Sequence, residues 1–172
     1  ERLLWIPSAV QPLKPGGPVA GNEHRLQMLR LAIAGRERHD VDHRELRRTG
    51  VSYTVDTLSE LKAENPEADF YLIIGSDSLA SMRRWLEPQT LLSLADLAVV
   101  RRGGEPPSDF SVLDGLTSEE NIQRFRQCVI EMPVIEISSS EIRGRVEQGK
   151  SIRHRVPRSV EAYVEKEGVY RS

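Results

Sequence analysis

The stretch LIIGSDSLASMRRW, residues 72–85, passes from an apolar segment directly into Gly75, Ser76 and Asp77, then through a basic pair to Trp85. With Phe70 and Tyr71 ahead of it, the apolar run reads as a strand buried on both faces, the kind found in parallel sheets. Ser78–Trp85 reads as a short helix. A strand that yields at once to Gly-Ser-Asp and a helix places those polar residues beyond its carboxyl end.

The flanking sequence alternates in the same way. LLWIP (3–7) reads as a buried strand, followed by the Pro- and Gly-rich loop SAVQPLKPGGP. Asn22 is expected to cap a helix over 23–34 that carries Leu26, Leu29 and Ile33 and is closed by Gly35. DVDHREL (40–46) gives a short strand. Thr54 precedes a helix with Val55, Leu58 and Leu61 on one face, stopped near Pro66. Pro88 opens a helix with Leu91, Leu92 and Leu94. DLAVVRR (96–102) is a further buried strand, and 103–118 is loop-like, with GGEPPS its most mobile piece. EENIQRFRQC (119–128) reads as a helix, PVIEI (133–137) as a last strand, and 139–148 and 157–167 as helices. Strands alternating with helices predict an α/β fold, a Rossmann-like open parallel sheet with helices on both faces. In such sheets ligands bind beyond the carboxyl ends of the strands, which directs attention to 7–14, 75–85, 101–104 and 138–143.

The totals are consistent with this. A chain of 172 residues is enough for one domain, taken as 1–172 with 139–172 as its C-terminal helical segment. There are 26 acidic and 24 basic residues, so the net charge of −2 exerts no general pull towards nucleic acid or acidic lipid. Basic residues nevertheless gather between Arg143 and Arg158, where six Lys or Arg stand against Glu147 alone. Cys128 is the single cysteine, which excludes an internal disulfide and a Cys-rich zinc site and fits a reducing, cytoplasmic setting. No apolar stretch approaches the ~20 residues of a membrane-spanning helix. The chain opens on Glu1 and enters a strand almost immediately, so we expect residues to precede it.

Chemistry concentrates in a few places. In ISSSEIRGR (137–145) a strand gives way to a helix, and Ser138, Ser139 and Ser140 lie at its N-terminus, where free backbone N–H groups favour an anion. Arg143 follows within one turn and can reach the same ligand bidentately. The competing explanation is a capping box closed by Glu141. No Gly-x-Gly-x-x-Gly follows a strand. His24, His39, His43 and His154 lack metal-ligand spacing and read as surface residues; Asp40 and Asp42 read as a solvated edge. Tyr53 and Thr54 stand where a loop enters a helix, as a core aromatic and a cap or as ligand contacts. Lys14 is a charge set among prolines. Trp85 is either a partly buried core side chain or a stacking platform for a flat ring.

Together WIPSAVQPLK, RLQMLRLAI, VSYTVDTL, LIIGSDSLASMRRW, LAVVRRGG, ISSSEIRGRV and SIRHRVPRSVEAYVEKEGVY resemble the bacterial nicotinate-nucleotide adenylyltransferases, of the nucleotidyltransferase superfamily. They occur in family order and cover nearly all of the chain except 104–130. The resemblance implies transfer of an adenylyl group from ATP, carrying Mg²⁺, to nicotinate mononucleotide, with deamido-NAD and pyrophosphate as products. It implies that Tyr53, Thr54, Trp85 and Lys14 contact the mononucleotide. Gly75 and Asp77 would line the nucleotide crevice, and Ser138, Ser139, Ser140 and Arg143 would hold ATP phosphates. ATP and nicotinate mononucleotide are then the partners, with no nucleic acid or membrane, and a homo-oligomer is compatible with it.

Two departures stand out. The family's leading strand and Gly-x-Phe-Asp-Pro-x-His-x-Gly-His segment does not occur in the sequence, so its histidines, the expected stabilisers of the transferring phosphate, match no residue of this chain. We expect that segment, the middle strand of a 3-2-1-4-5 sheet, before Glu1. Leu13 stands where the family usually has His. Three rivals remain: an adenylyltransferase for nicotinamide mononucleotide or phosphopantetheine, a catalytically inert nucleotide-binding module, and RNA binding through the basic C-terminal face.

Overall fold

The computed structural model describes residues 1–10, 12 and 19–171. Its elements follow in the order β1 (Leu3–Trp5), α1 (Asn22–Ile33), β2 (His39–Val41), α2 (Arg44–Arg47), α3 (Thr54–Glu64), β3 (Tyr71–Gly75), α4 (Ser76–Ala80), α5 (Pro88–Leu94), β4 (Asp96–Arg102), α6 (Glu119–Gln127), β5 (Val129–Met132), α7 (Ser139–Glu147) and α8 (Arg158–Glu167). Short 3-10 turns occupy Met82–Arg84 and Phe110–Leu113. Every strand pairing is parallel, as the alternation of strands and helices requires. Among the described residues the strands form two sheets, β1-β2 and β3-β4-β5. Contacts divide the chain into two compact units, one built from Glu1–Ser52 and Glu136–Ser172, the other from Tyr53–Ile135.

In the second unit β4 is the middle strand. Leu97, Ala98 and Val99 are all buried, and because successive side chains point to opposite faces, both faces of β4 are covered. Leu72 and Ile74 of β3 lie opposite Leu97 and Val99, and this row joins Val55 and Leu58 of α3, Leu91 and Leu92 of α5 and Phe125 of α6 in one apolar cluster. The helices carry the start signals expected of them. Pro88 sits in the first turn of α5, and the Ser118 hydroxyl accepts from the Asn121 N–H at 3.2 Å to cap α6.

Several elements differ from the sequence reading. The strand of the opening stretch is covered on one face only. Among the described residues it is an outer strand of its sheet, and Tyr71 and Ile73, at 58% and 49%, are exposed. Ser78–Trp85 is not one helix: α4 ends at Ala80 and a 3-10 turn follows. PVIEI is not a strand. The pairing partner of β4 is the preceding Val129–Met132, with Val99 opposite Val129 and Arg102 opposite Met132. Pro133 has no N–H to donate to a ladder, and Val134, Ile135 and Ile137 are exposed.

In the first unit β1 is shorter than LLWIP and is half-buried, with Trp5 exposed at its end. DVDHREL is a strand only as far as Val41; from Arg44 it turns helical, and Asp42 accepts from the Arg44 backbone N–H at 2.9 Å. Asn22 does not cap α1; Gly21 holds that place and Asn22 is the first helical residue. The core of this unit gathers Ala20, Val146, Ile152, Val160, Val164 and Val169, with Met28, Leu31 and Ala32 of α1 packed against it. Gly168 ends α8 at φ 64°, a conformation that residues with a Cβ rarely adopt.

Candidate functional site

A groove opens at the carboxyl ends of β3, β4 and β5, where the sheet topology predicts one. It has a volume of about 280 Å³ and is walled by Ile73, Ile74, Val100 and Met132, with Ser76, Asp77, Arg102 and Glu105 as its polar groups. A second hollow of about 300 Å³ shares Ser76, Asp77 and Glu105 and extends to Pro107 and Ser108. Gly75 and Asp77, singled out in the sequence, both line this groove.

The local geometry explains the Gly-Ser-Asp that ends β3. Gly75 has φ −78° and ψ 163°, open to any residue, so backbone conformation does not require glycine there. What a side chain there would meet is the neighbouring carboxylate: a Cβ at 75 would lie 2.6 Å from Asp77 Oδ1, which would have to turn aside. That oxygen accepts from the Ser78 N–H at 2.9 Å, leaving the exposed Asp77 carboxylate fixed at the groove. The Ser76 hydroxyl lies 3.3 Å from the Val100 carbonyl and 3.3 Å from the Ser108 hydroxyl, tying α4 to the end of β4. Glu105 folds back so that its carboxylate accepts from the Arg102 N–H at 3.3 Å. Arg101 pairs with Glu131 across the β4–β5 ladder. At the far end, hydrogen bonds from Ser111 hold the Asp109 carboxyl below its ordinary range. The sequence reading singles out neither Glu105, Ser108 nor Met132. Met132 would have followed from placing the last strand correctly.

Tyr53 and Trp85 are half-buried and pack against the same apolar cluster. Tyr53 is the N-cap residue of α3, with φ −104° and ψ 136° and no capping bond from its side chain, and Thr54 is the first helical residue. The Trp85 indole N–H donates to Ser81 Oγ at 3.1 Å. The Ser81 hydroxyl in turn donates to the Ser78 carbonyl at 2.9 Å.

The start of α7, in the first unit, brings the serines and Arg143 together. Ser138 is the N-cap, its Oγ accepting from the Glu141 N–H at 3.1 Å. The capping box is only half formed, because the Glu141 carboxylate pairs with Arg155 at 2.8 Å instead of reaching back. Ser139 and Ser140 open the helix and are exposed, and Arg143 donates to Ser140 Oγ at 3.2 Å. Burial pushes the Tyr170 phenol above its ordinary value, partly offset by the positive charges of Arg143 and Arg25. Arg145 is bound to the Ser151 carbonyl at 2.8 Å, so the basic segment is partly engaged within its own unit. Lys14 and Leu13 lie outside the described residues.

Two histidines expected at the surface have specific partners. His24 Nδ1 lies 2.9 Å from the Tyr163 hydroxyl, and His39 Nδ1 accepts from the Trp5 indole at 3.1 Å with the rings stacked. Asp40, read as solvated, bonds Arg2 at 2.8 Å, and Asp42 bonds Arg44 at 2.7 Å. Among the described residues no three His, Cys, Asp or Glu side chains converge so as to hold a metal ion, and no helix is long and apolar enough to cross a membrane.

The cytidylyltransferase-like family model matches residues 1–145. A protein of Rhodopirellula baltica named probable nicotinate-nucleotide adenylyltransferase is 54% identical over 171 residues, covering 99% of this chain and 80% of the relative. The chain belongs to the nicotinate-nucleotide adenylyltransferase family. A member from Thermomicrobium roseum is 36% identical over 172 residues, covering 100% and 78%. Among solved structures, the Plasmodium falciparum nicotinic acid mononucleotide adenylyltransferase complexed with NaAD shares the fold, with a TM-score of 0.67 at 18% identity over 98% of this chain and 82% of that one. The α/β architecture expected from the sequence is thus the family's own.

Proposed function

We propose that this chain transfers the adenylyl group of MgATP to nicotinate mononucleotide, yielding deamido-NAD and pyrophosphate. The observation that carries this reading is the 54% identity to a family member across 99% of the chain, which spans the groove, the Tyr53-Thr54 helix start and the serines of α7 alike. In this reaction a phosphate oxygen of the mononucleotide attacks the α-phosphorus of ATP, and the bond to the β-phosphate oxygen breaks. A phosphate monoester is already ionised near neutral pH, so the nucleophile needs no strong base. The work left to the protein is positioning and charge stabilisation. Mg²⁺ enters as part of the ATP substrate.

Each residue takes a role its surroundings support. The exposed first turn of α7, with the Ser139 and Ser140 N–H groups directed outward and Arg143 one turn on, suits ATP phosphates. Ser138 supports that turn by capping it. Asp77, fixed at the groove, suits the hydroxyls of a sugar, and Gly75 keeps the space its carboxylate needs. Tyr53, Thr54 and Trp85 suit the pyridine ring and its carboxylate, the ring at Trp85 and the anion at the start of α3. Lys14 belongs with the mononucleotide on the strength of the resemblance. None of the histidines is assigned to the transferring phosphate; His24 and His39 are engaged with Tyr163 and Trp5. In this reading residues 1–172 serve one reaction as one nucleotidyltransferase domain, in a reducing, cytoplasmic setting.

Pyrophosphate release from MgATP, measured in parallel with nicotinate and nicotinamide mononucleotides, tests the proposal. A higher kcat/KM for the nicotinate substrate is expected. Preference for the amide would overturn the assignment of the nicotinate carboxylate to Tyr53 and Thr54, and no release with either would leave a nucleotide-binding module.

A further inference from the structure

We propose that Ser81 is a positioning residue that fixes the Trp85 ring before substrate arrives, so that the ring contributes stacking alone and does not read the acid group of the pyridine. This rests on the placement of Trp85 against the mononucleotide. Indole has one polar atom, a donor. In this structure that donor is used: the Trp85 indole N–H donates to Ser81 Oγ at 3.1 Å, and the Ser81 hydroxyl donates in turn to the Ser78 carbonyl at 2.9 Å. The relay ends on α4, the same short helix that carries Asp77 at the groove. The chain from Ser81 to Trp85 is itself held by backbone bonds, from Arg84 N to the Ser81 carbonyl at 2.9 Å and from Trp85 N to the Met82 carbonyl at 3.0 Å. Backbone and indole are thus both constrained, and the side chain keeps little rotational freedom about its two χ angles. A ring held in its bound orientation loses less entropy on binding.

Selectivity follows from the same two bonds. With its N–H committed to Ser81, Trp85 offers a ligand no hydrogen-bond donor. The ring therefore favours a nicotinate and a nicotinamide ring by the same factor, and discrimination between acid and amide belongs to other groups.

Ser81→Ala, made in the full chain, removes the hydroxyl but none of the backbone bonds. In a Trp5→Phe background, which leaves Trp85 as the only indole, Ser81→Ala is expected to lower the fluorescence anisotropy and red-shift the emission. It should raise KM for nicotinate mononucleotide about three- to tenfold, the scale of one lost hydrogen bond. KM for nicotinamide mononucleotide should rise by the same factor, and KM for MgATP should change less than about twofold. Ser81→Thr keeps the hydroxyl and restores both readouts. In a Trp85→Phe background, where the ring has no N–H, Ser81→Ala should have no further effect on KM. Unchanged anisotropy in Ser81→Ala overturns the proposal whatever reaction the chain performs. So does an equal KM effect in the Trp85→Phe background, which would make Ser81 merely the cap of α4. Lack of turnover in the parent chain overturns the proposed function instead, and the fluorescence comparison still decides the clamp.

Discussion

In the proposed reaction Arg143 and Trp85 separate the two substrates at the level of single side chains. Arg143 sits one turn into α7 and already donates to Ser140, so its truncation removes a charge from the proposed phosphate site and little from the core. Arg143→Ala is expected to raise KM for MgATP by the equivalent of about 1.5–3 kcal/mol, the range for a charge-assisted hydrogen bond. Trp85→Ala should weaken nicotinate mononucleotide by about 1–3 kcal/mol if stacking on a nucleic-acid base is a fair measure. Two-substrate kinetics on the folded variants checks both, and a reversal of the pattern would exchange the two roles. The grouping around Arg143 is legible in the sequence for a physical reason. Ser138, Ser140, Glu141 and Arg143 are neighbours through helix periodicity, which primary structure encodes. Glu105 was not visible, because its return to the Arg102 N–H is made by the path of a loop.

Between strand and helix, Gly75 shows what an element boundary demands. Its backbone would accept alanine, but the added Cβ would press on Asp77 Oδ1 at 2.6 Å and turn the carboxylate off the Ser78 N–H. Gly75→Ala should therefore cost less than about 1 kcal/mol of stability, like most substitutions that leave the core intact. The loss should appear in affinity for a non-hydrolysable ATP analogue, measured by calorimetry beside a thermal melt. A large drop in Tm with affinity retained would show that glycine serves the fold instead. Elements were legible where one signal acted alone, as in the Leu91–Leu92 helix behind Pro88. They were misread where two competed. CVIEMPVIEI holds two nearly identical apolar runs, and only the register with Val99–Arg102 selects the first. In DVDHREL the alternation continues past Val41, whereas Asp42 bonding to the Arg44 N–H starts a helical turn. Burial on both faces does not hold for β3 among the described residues, where Tyr71 and Ile73 are exposed, because what covers a strand's face is set by distant elements and no window of sequence states that.

For the molecule as a whole, the alternation of strands and helices was legible and the partition was not. One unit is a single continuous segment, Tyr53–Ile135; the other is assembled from two distant parts of the chain. Its contacts are correspondingly remote in sequence: α1 packs on α8, His24 meets Tyr163, and Ser159 donates to the Leu31 carbonyl at 3.0 Å. Closing so long a loop costs entropy before any contact offsets it, so pairings of this kind form late. Pulsed hydrogen exchange during refolding should protect the amides of Leu97–Val99 before those of Leu26–Ile33; simultaneous protection would contradict this. On the ribosome the same connectivity becomes an order of events. Residues 53–135 can reach their final contacts while translation continues, whereas α1, although made earlier, lacks its packing against α8 until the end and so leaves that face open to a chaperone for longest.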